Sequence, residues 1–532
     1  MTPVINDSGY PPITSIKIYP LVYWGIIMNF LKKIIPSTML AASLIPAVAN
    51  ATLTLYTTNW SMYGQNPYEY DGAYKNGRPY GQLAYVSNPE MVAQFNKADV
   101  IAWSFLQVWN SKDPNQAQYQ IPASWDGLMH FSDLWGELPL EGSWISPLPP
   151  ETKDFLEFCT ANQGACTSVQ MNGNTGQKEL FNYTDQKGVG QLNSFGAFIH
   201  SPKYTTKRII AIGGANTPDN KGISTATFAA IFANQDKFLN QFKSWMNHFK
   251  NLKGIDYDFE PPIDLQTGGQ LPPGANTLAD YKHLFDLVKA SRYTLGKDAY
   301  ISVTITVNKD YLEKINQSVD GGWFKQIANY TDSINLMTYD LHGPWSQSGD
   351  PYTAVHAYLK QPDTSRKDEF AINYATDSIT EQVLAYGIPK EKLQVGLAAY
   401  GRGFSGVASG ENTALPGFEQ PWSGASHFAT EYSIQDGLLP YKAVNKLINQ
   451  LNYKIYHVNA LDEKNNSFIT GSYLYNATEK QFVGYQSPEV VKAVCRFIKD
   501  KQLKGAIMWS ADTDLPVSNP NSLVATYKSL CN

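Results

Sequence analysis

The sequence predicts an α/β chain built on a (β/α)8 TIM barrel, with a long insertion between strands two and three and a small α+β insertion between strands seven and eight. Three observations carry this. Short apolar runs with strand character alternate with amphipathic stretches of helical spacing, the pattern of parallel βα units. The runs number eight, enough to close a barrel. Two connections, Trp109 to Lys207 and Tyr400 to Gly505, are each about a hundred residues long, far beyond ordinary loops.

At the amino terminus, Met28 is followed by Lys32-Lys33, an apolar run from Ile34 to Val48 broken by Pro36 and Pro46, and then Ala49-Asn50-Ala51. This is the layout of a signal peptide over 28–51, with Thr52 as the mature start. The run is short and interrupted, which favours a cleaved signal over the alternative of an uncleaved membrane anchor, so a secreted protein, extracellular or periplasmic, with no membrane attachment after cleavage is expected. Residues 1–27 form an upstream extension with no place in that signal, which points to Met28 as the start. Strands follow at Leu53–Thr58, Val100–Phe105, Arg208–Gly213, Gly254–Glu260, Tyr300–Val307, Ser333–Asp340, Gln394–Tyr400 and Ala506–Ser510. Between them, Phe238, Phe242, Trp245 and Phe249 recur at helical spacing, as do Tyr281, Leu284 and Val288, and Val490, Val494 and Phe497. Gly387 and Pro389 stop the helix before the seventh strand. The barrel is assigned to 52–403 and 483–532, and the α+β insertion to 404–482, where Val444, Leu447 and Ile448 mark a helix among Tyr-rich segments. Insertions leaving the carboxyl ends of barrel strands stand over the mouth, so both are expected to shape a cleft. The first carries Trp109, Trp125, Trp135 and Trp144.

Composition narrows the function classes. Hydrophobic residues at 43% of 532 can build a large core, and a net charge of −5 with scattered basic residues argues against nucleic acid as a partner. Aromatics at 13% suit a surface that stacks on sugar rings, although any single ring is more often core. Four cysteines in a secreted chain imply disulfides; Cys159–Cys166 and Cys495–Cys531 are the most economical pairing. Neither pair has zinc-ligand spacing, and the eight histidines form no metal motif, so no metal and no cofactor are expected.

Gly254 to Glu260 reads Gly-Ile-Asp-Tyr-Asp-Phe-Glu. In a strand, Asp256, Asp258 and Glu260 share one face while Ile255, Tyr257 and Phe259 share the other. Asp258 and Glu260 lie about 6.6 Å apart along the strand, close enough to alter each other's proton affinity. On the fourth barrel strand Glu260 falls at the carboxyl end, placed to act as a protonated general acid. Asp258 sits on the same face and is a poor in-line nucleophile. The nucleophile comes either from another strand or from the substrate itself.

These residues match most of the D-G-x-D-x-D-x-E motif of glycoside hydrolase family 18, the chitinases. Met337-Thr338-Tyr339-Asp340 resembles the family's M-x-Y-D element on strand six, Tyr400-Gly401-Arg402 its Y-G-R element, and Met508-Trp509-Ser510 its strand-eight segment. The opening from Tyr56 and Trp103-Ser104-Phe105 also look like its first two strands, and the insertion before strand eight resembles that of the deep-cleft, bacterial-type subfamily. The resemblance covers 52–532 and implies that the acetamido oxygen of the substrate's own N-acetylglucosamine attacks the anomeric carbon, giving retention. By position it assigns Glu260 to protonate the leaving oxygen and then activate water, and Asp258 to orient the acetamido N–H. Asp256 would share a proton with Asp258, and Tyr339 would bond the acetamido oxygen. Asp340 and Arg402 would contact hydroxyls; Trp509, Tyr56 and Phe105 would wall the pocket, with Met337 and Tyr400 also lining it. The implied substrates are chitin or N-acetylglucosamine oligomers, taken by a monomer.

Two departures stand out. The first Asp of the motif is Lys253, and the Ser of the S-x-G-G element on strand three is Ala211, which removes a hydroxyl that helps hold the acidic pair in relatives. Loss of that hydroxyl favours a higher proton affinity of the pair, and these two positions are where the tuning of the acids can differ from relatives. Ala215 stands where an aromatic often follows the Gly-Gly pair. Two other readings compete: an endo-β-N-acetylglucosaminidase acting on glycoprotein glycans, and a chitinase-like lectin without catalysis. Lectins of that kind typically replace the final Glu, which is present here as Glu260.

Overall fold

The structure, a computed structural model, describes residues 50–59, 89–139, 150–171, 175–184, 193–215, 223–260, 277–307, 309–345, 351–362, 375–427, 436–450 and 452–531. The signal-peptide assignment except its last two residues, Asn50 and Ala51, together with Trp144 and the chain after Asn59 as far as 88, lies outside these.

Eight parallel strands close a barrel: β1 (Thr52–Thr58), β2 (Val100–Val108), β3 (Lys207–Gly213), β4 (Leu252–Phe259), β5 (Tyr300–Ile305), β6 (Ser333–Leu336), β7 (Leu393–Ala398) and β8 (Gly505–Trp509). Each pairs with the next, and β1 pairs with both β2 and β8. Nearly every strand residue is buried because helices cover the outside and side chains fill the inside, which is why the strands read as apolar runs. The outward residues of β4, Ile255 and Tyr257, join the main core with Phe238, Phe242 and Trp245 of the helix Gln235–His248. A smaller inner cluster holds Tyr56, Ala211, Met337, Tyr339 and Tyr400, with Phe105 and Trp509 packed against it.

The segment entering β1 is tied to the last helix. Ala51 N–H donates to the Cys531 carbonyl at 3.0 Å, and the Cys495–Cys531 disulfide joins the helices Pro488–Lys501 and Leu523–Cys531. A second disulfide, Cys159–Cys166, closes the turn after the helix Pro150–Ala161 in the first insertion.

The first insertion packs more than it projects. Trp109 is fully buried, stacked on His130 with ring centroids 3.6 Å apart, and donates its Nε1–H to the Gly164 carbonyl at 2.7 Å. Burial lowers the His130 pKa to about 3, leaving it neutral for that stacking. Trp125 lies 5.8 Å from Trp109, and Phe131, Phe155 and Phe195 continue the aromatic packing onto Trp245 of the barrel helix. Trp109 and Trp125, read from the sequence as part of a cleft-forming Trp group, therefore serve insertion packing.

The second insertion is built around an antiparallel sheet ordered Gly424–Ala425, Tyr400–Ser405, Gln481–Tyr485, Ser467–Asn476 and Lys454–Leu461, with the helix Tyr441–Gln450. Its strand Tyr400–Ser405 starts one residue after β7 ends, so the barrel strand runs into the insertion and carries Tyr400 and Arg402 to the mouth.

Candidate active site

The acid row lies where its alternation placed it. Asp256 and Asp258 are buried on the inward face of β4, and Glu260, one residue past the strand end, reaches the partly open rim. Close approach of neighbouring strands fixes the row at both ends. A Cβ on Gly254 would stand 1.8 Å from the Tyr300 carbonyl oxygen, so only glycine fits there. At the top, Gly213 takes φ 116 and lies against the Asp258 backbone, while Gly214 N–H donates to the Asp258 carbonyl at 3.0 Å.

Asp256 is held by hydroxyls. Ser302 Oγ donates to its Oδ1 at 2.5 Å and Tyr56 Oη to its Oδ2 at 2.8 Å, while Thr304 Oγ1 lies 3.1 Å from both oxygens. Burial raises the Asp256 pKa against these bonds, which pull it down. Asp258 differs: its Oδ1 is buried with no hydrogen-bond partner among the described residues. Burial, then Glu260, then Asp256 push its carboxyl well above the ordinary range. Burial, reinforced by the charge of Asp340, raises Glu260 to about 7.

Asp340 adopts φ 55, a left-handed conformation uncommon for a residue with a side chain. Arg402 holds it there through a two-pronged pair, Nε to Oδ1 at 2.7 Å and Nη2 to Oδ2 at 2.6 Å. His356 Nδ1 accepts the Asp340 backbone N–H at 3.3 Å. Burial alone would raise the Asp340 carboxyl, but Arg402 and His356 hold it well below the usual range. Tyr339 sits beside Tyr400, its ring centroid 6.0 Å away, and burial followed by the carboxylates Asp258, Glu260 and Asp340 keeps its phenol protonated. Phe105 stacks on Trp509 at 5.7 Å and 20°, and Tyr56 meets Trp509 at 5.7 Å, forming an aromatic wall.

The eleven residues singled out for catalysis and substrate binding thus lie on β1, β2, β4 and β8 and just beyond β4, β6 and β7. Sequence reasoning missed the partners of Asp256: Ser302, Thr304 and, through Thr304, Asn335, whose Nδ2 donates to Thr304 Oγ1 at 2.9 Å. The alternation of Ser302 and Thr304 with Val303 and Ile305 was the available signal, since it places two hydroxyls on the inward face of β5. Lys253 proves remote. It lies on the outward side of the row at the exposed start of β4, with its ammonium on the Lys250 carbonyl, so it cannot tune the acids as expected. Ala215 is exposed at the end of β3.

Residues 52–514 match the family model described as glycosyl hydrolases family 18. The chain belongs to that family. Chitinase A of Pseudoalteromonas piscicida is 25% identical over 316 residues, which is 56% of this chain and 37% of that protein. This chain spans less than half the length of the first curated relatives it matches. Among solved structures, a mutant of catalytic domain 2 of the Ostrinia furnacalis group II chitinase, in complex with penta-N-acetylchitooctaose, has a TM-score of 0.57 at 18% identity, covering 90% of this chain and 96% of that one. Human YKL-39, a pseudo-chitinase with retained chitooligosaccharide binding, has a TM-score of 0.56 at 16% identity, covering 90% of this chain and 99% of that one. The fold is therefore shared by proteins described as a chitinase and a pseudo-chitinase, and the fold alone does not discriminate between them.

Proposed function

We propose that this chain is a secreted chitinase that hydrolyses β-1,4 links between N-acetylglucosamine units with retention, through attack by the substrate's own acetamido oxygen. The observation that carries this reading is the carboxylate arrangement at the mouth. Glu260 is raised to about 7 and can hold a proton for the leaving oxygen at neutral pH. Asp258 lies behind it on the same strand face, where it cannot attack from the opposite side of the sugar. The other acid near Glu260, Asp340, has both oxygens committed to Arg402. With neither of these two carboxylates placed for in-line attack, the substrate supplies the nucleophile in this reading.

In this reading Glu260 protonates the glycosidic oxygen and then removes a proton from the incoming water. Asp258, whose Oδ1 lacks a partner, accepts the acetamido N–H and stabilises the charge that develops on the oxazolinium ion. Tyr339 donates to the acetamido oxygen and sets its angle of attack. Phe105, Trp509 and Tyr56 take the sugar's apolar face, with Met337 and Tyr400 lining the pocket beside them. Asp340 and Arg402 bind hydroxyls at the rim, and the insertion taken as 404–482 walls the cleft.

The test is time-resolved product analysis on N-acetylglucosamine oligomers with the wild type and Glu260→Gln. A β-anomer as first product, with kcat about 10³-fold lower in the variant and binding retained, is expected. An α-anomer first product or an active Glu260→Gln refutes the mechanism; oligomer binding with no hydrolysis by the wild type returns the chain to the lectin reading.

A further inference from the structure

Asp256 sits between two strands that treat it differently. In register with it on β3 stands Ala211, which offers only a methyl group where the family's S-x-G-G element carries a hydroxyl. On β5 its register partner is Ser302, one of its donors. Thr304 is in register with Asp258, one layer nearer the mouth, yet its Oγ1 turns back into the Asp256 layer. There it lies 2.7 Å from Tyr56 Oη and 3.1 Å from each Asp256 oxygen, and it accepts the Asn335 amide at 2.9 Å. With one Thr304 lone pair filled by Asn335, its single proton is directed into the Tyr56–Asp256 pair.

We propose that Thr304 is a positioning residue that, with Ser302, holds Asp256 from strand five, taking over the task that strand three cannot perform through Ala211. The inference rests on the reading of this chain as a substrate-assisted chitinase, but it names a residue outside the motifs that support that reading. In this arrangement Asp256 is turned toward β1 and β5, and the buried Asp258 Oδ1 has no hydrogen-bond partner among the described residues. The titratable groups that interact with Asp256 are Tyr56 on β1, Tyr300 on β5, Asp258 on its own strand and Tyr339 beyond β6. Thr304 does not titrate, so removing its hydroxyl changes the donor supply without removing a charge. The bond from Thr304 lowers the proton affinity of Asp256, so its loss moves the Asp256 titration, and with it the acid limb of kcat, to higher pH.

The experiment compares Thr304→Val, Thr304→Ser, Ala211→Ser and the Ala211→Ser/Thr304→Val pair in the full chain. Thr304→Val is expected to lower kcat about tenfold with KM changed less than about twofold, the loss of one hydrogen bond to an ionised group. Its acid limb should rise by about one pH unit. Thr304→Ser should stay within about twofold of wild type, and Ala211→Ser should recover about threefold or more in the Thr304→Val background by returning a donor to strand three. A second readout needs no turnover: carbon-13 NMR titration of labelled Asp carboxyls, with the Asp256 signal identified by its loss in Asp256→Asn, should show the same upward shift in Thr304→Val. Equal impairment by Val and Ser, or an unshifted Asp256 titration in Thr304→Val, overturns the inference. If Thr304→Val fails to fold, the Thr304→Ser and double variants carry the comparison. A wild type inert toward chitin oligomers refutes the function alone, because the carboxyl titration still decides the role of Thr304.

Discussion

Glu137, a buried acid outside the catalytic row, offers a test with a calculable size. It ends the short helix Leu134–Glu137 of the first insertion, with no solvent exposure. Its Oε1 accepts Asn59 Nδ2 at 3.1 Å and Trp103 Nε1 at 3.4 Å; its Oε2 accepts the Asp133 backbone N–H at 2.8 Å and Ser132 Oγ at 3.3 Å. Asn59 also donates to the Phe105 carbonyl at 3.4 Å, so this carboxyl staples the insertion to the aromatic wall of the pocket. Burial, then the neighbouring Asp133, raises it from 4.5 to about 7 in spite of the donors. Because the folded-state value lies above the unfolded one, the group's contribution to stability is full below pH 4.5 and is lost as pH rises through 7. A shift of that size corresponds to about 3 kcal/mol. Glu137→Gln keeps the shape and removes the titration. Urea unfolding of the oxidised protein at a series of pH values should show the wild type losing about 3 kcal/mol relative to Glu137→Gln between pH 4.5 and 8. A difference constant within about 0.5 kcal/mol would mean that the carboxyl titrates alike in folded and unfolded chains, and the burial argument would fail.

Three further outcomes are expected. In the proposed mechanism Glu260 must be protonated to act, so kcat/KM should fall tenfold per pH unit above about 7, and Asp340→Asn should move that limb acidward by about one unit, since it removes a raising charge and frees the Arg402 cation; an unmoved limb sinks the assignment. Arg402→Met should cost about 2 kcal/mol at pH 7, less than a fully buried pair because the Asp340 side chain is 33% exposed; the folded-state pKa of Asp340 is depressed far below the usual range, so the cost should be full above about pH 4, only partly reduced at pH 3, and lost only as pH falls through the folded value, which urea unfolding at pH 7 and pH 3 checks. Replacing Cys495 and Cys531 by Ala should cost about 4 kcal/mol and replacing Cys159 and Cys166 about 2, as the bridges span 36 and 7 residues, and calorimetric midpoints in that order test it.

The contrast between the acid row and its supports shows what kind of information each level holds. Local periodicity determined the row: a strand repeats every two residues, so Asp256, Asp258 and Glu260 had to share a face wherever the strand was placed. Burial on both faces determined the barrel, because strands covered by helices outside and filled with side chains inside must read as apolar runs. Three further motifs pointed to Tyr339, Asp340, Arg402 and Trp509, because each lies at or just beyond the carboxyl end of a barrel strand, a position set by the strand itself.

What the sequence could not determine was which side chains meet across the barrel. Tyr56 lies 200 residues from Asp256, and Thr304 lies 248 residues from Tyr56, so their contact exists only once β1 has closed onto β8 and the register of β4 against β5 is fixed. The same closure decided that Lys253 faces solvent and that Asp340 is committed to Arg402. Tertiary packing likewise turned Trp109 into core and buried Glu137. The sequence by itself determined the acids and their order along one strand, because both follow from spacing along the chain. Only the tertiary structure decided which hydroxyls hold Asp256 and leave Asp258 open, because that depends on strands brought together by barrel closure.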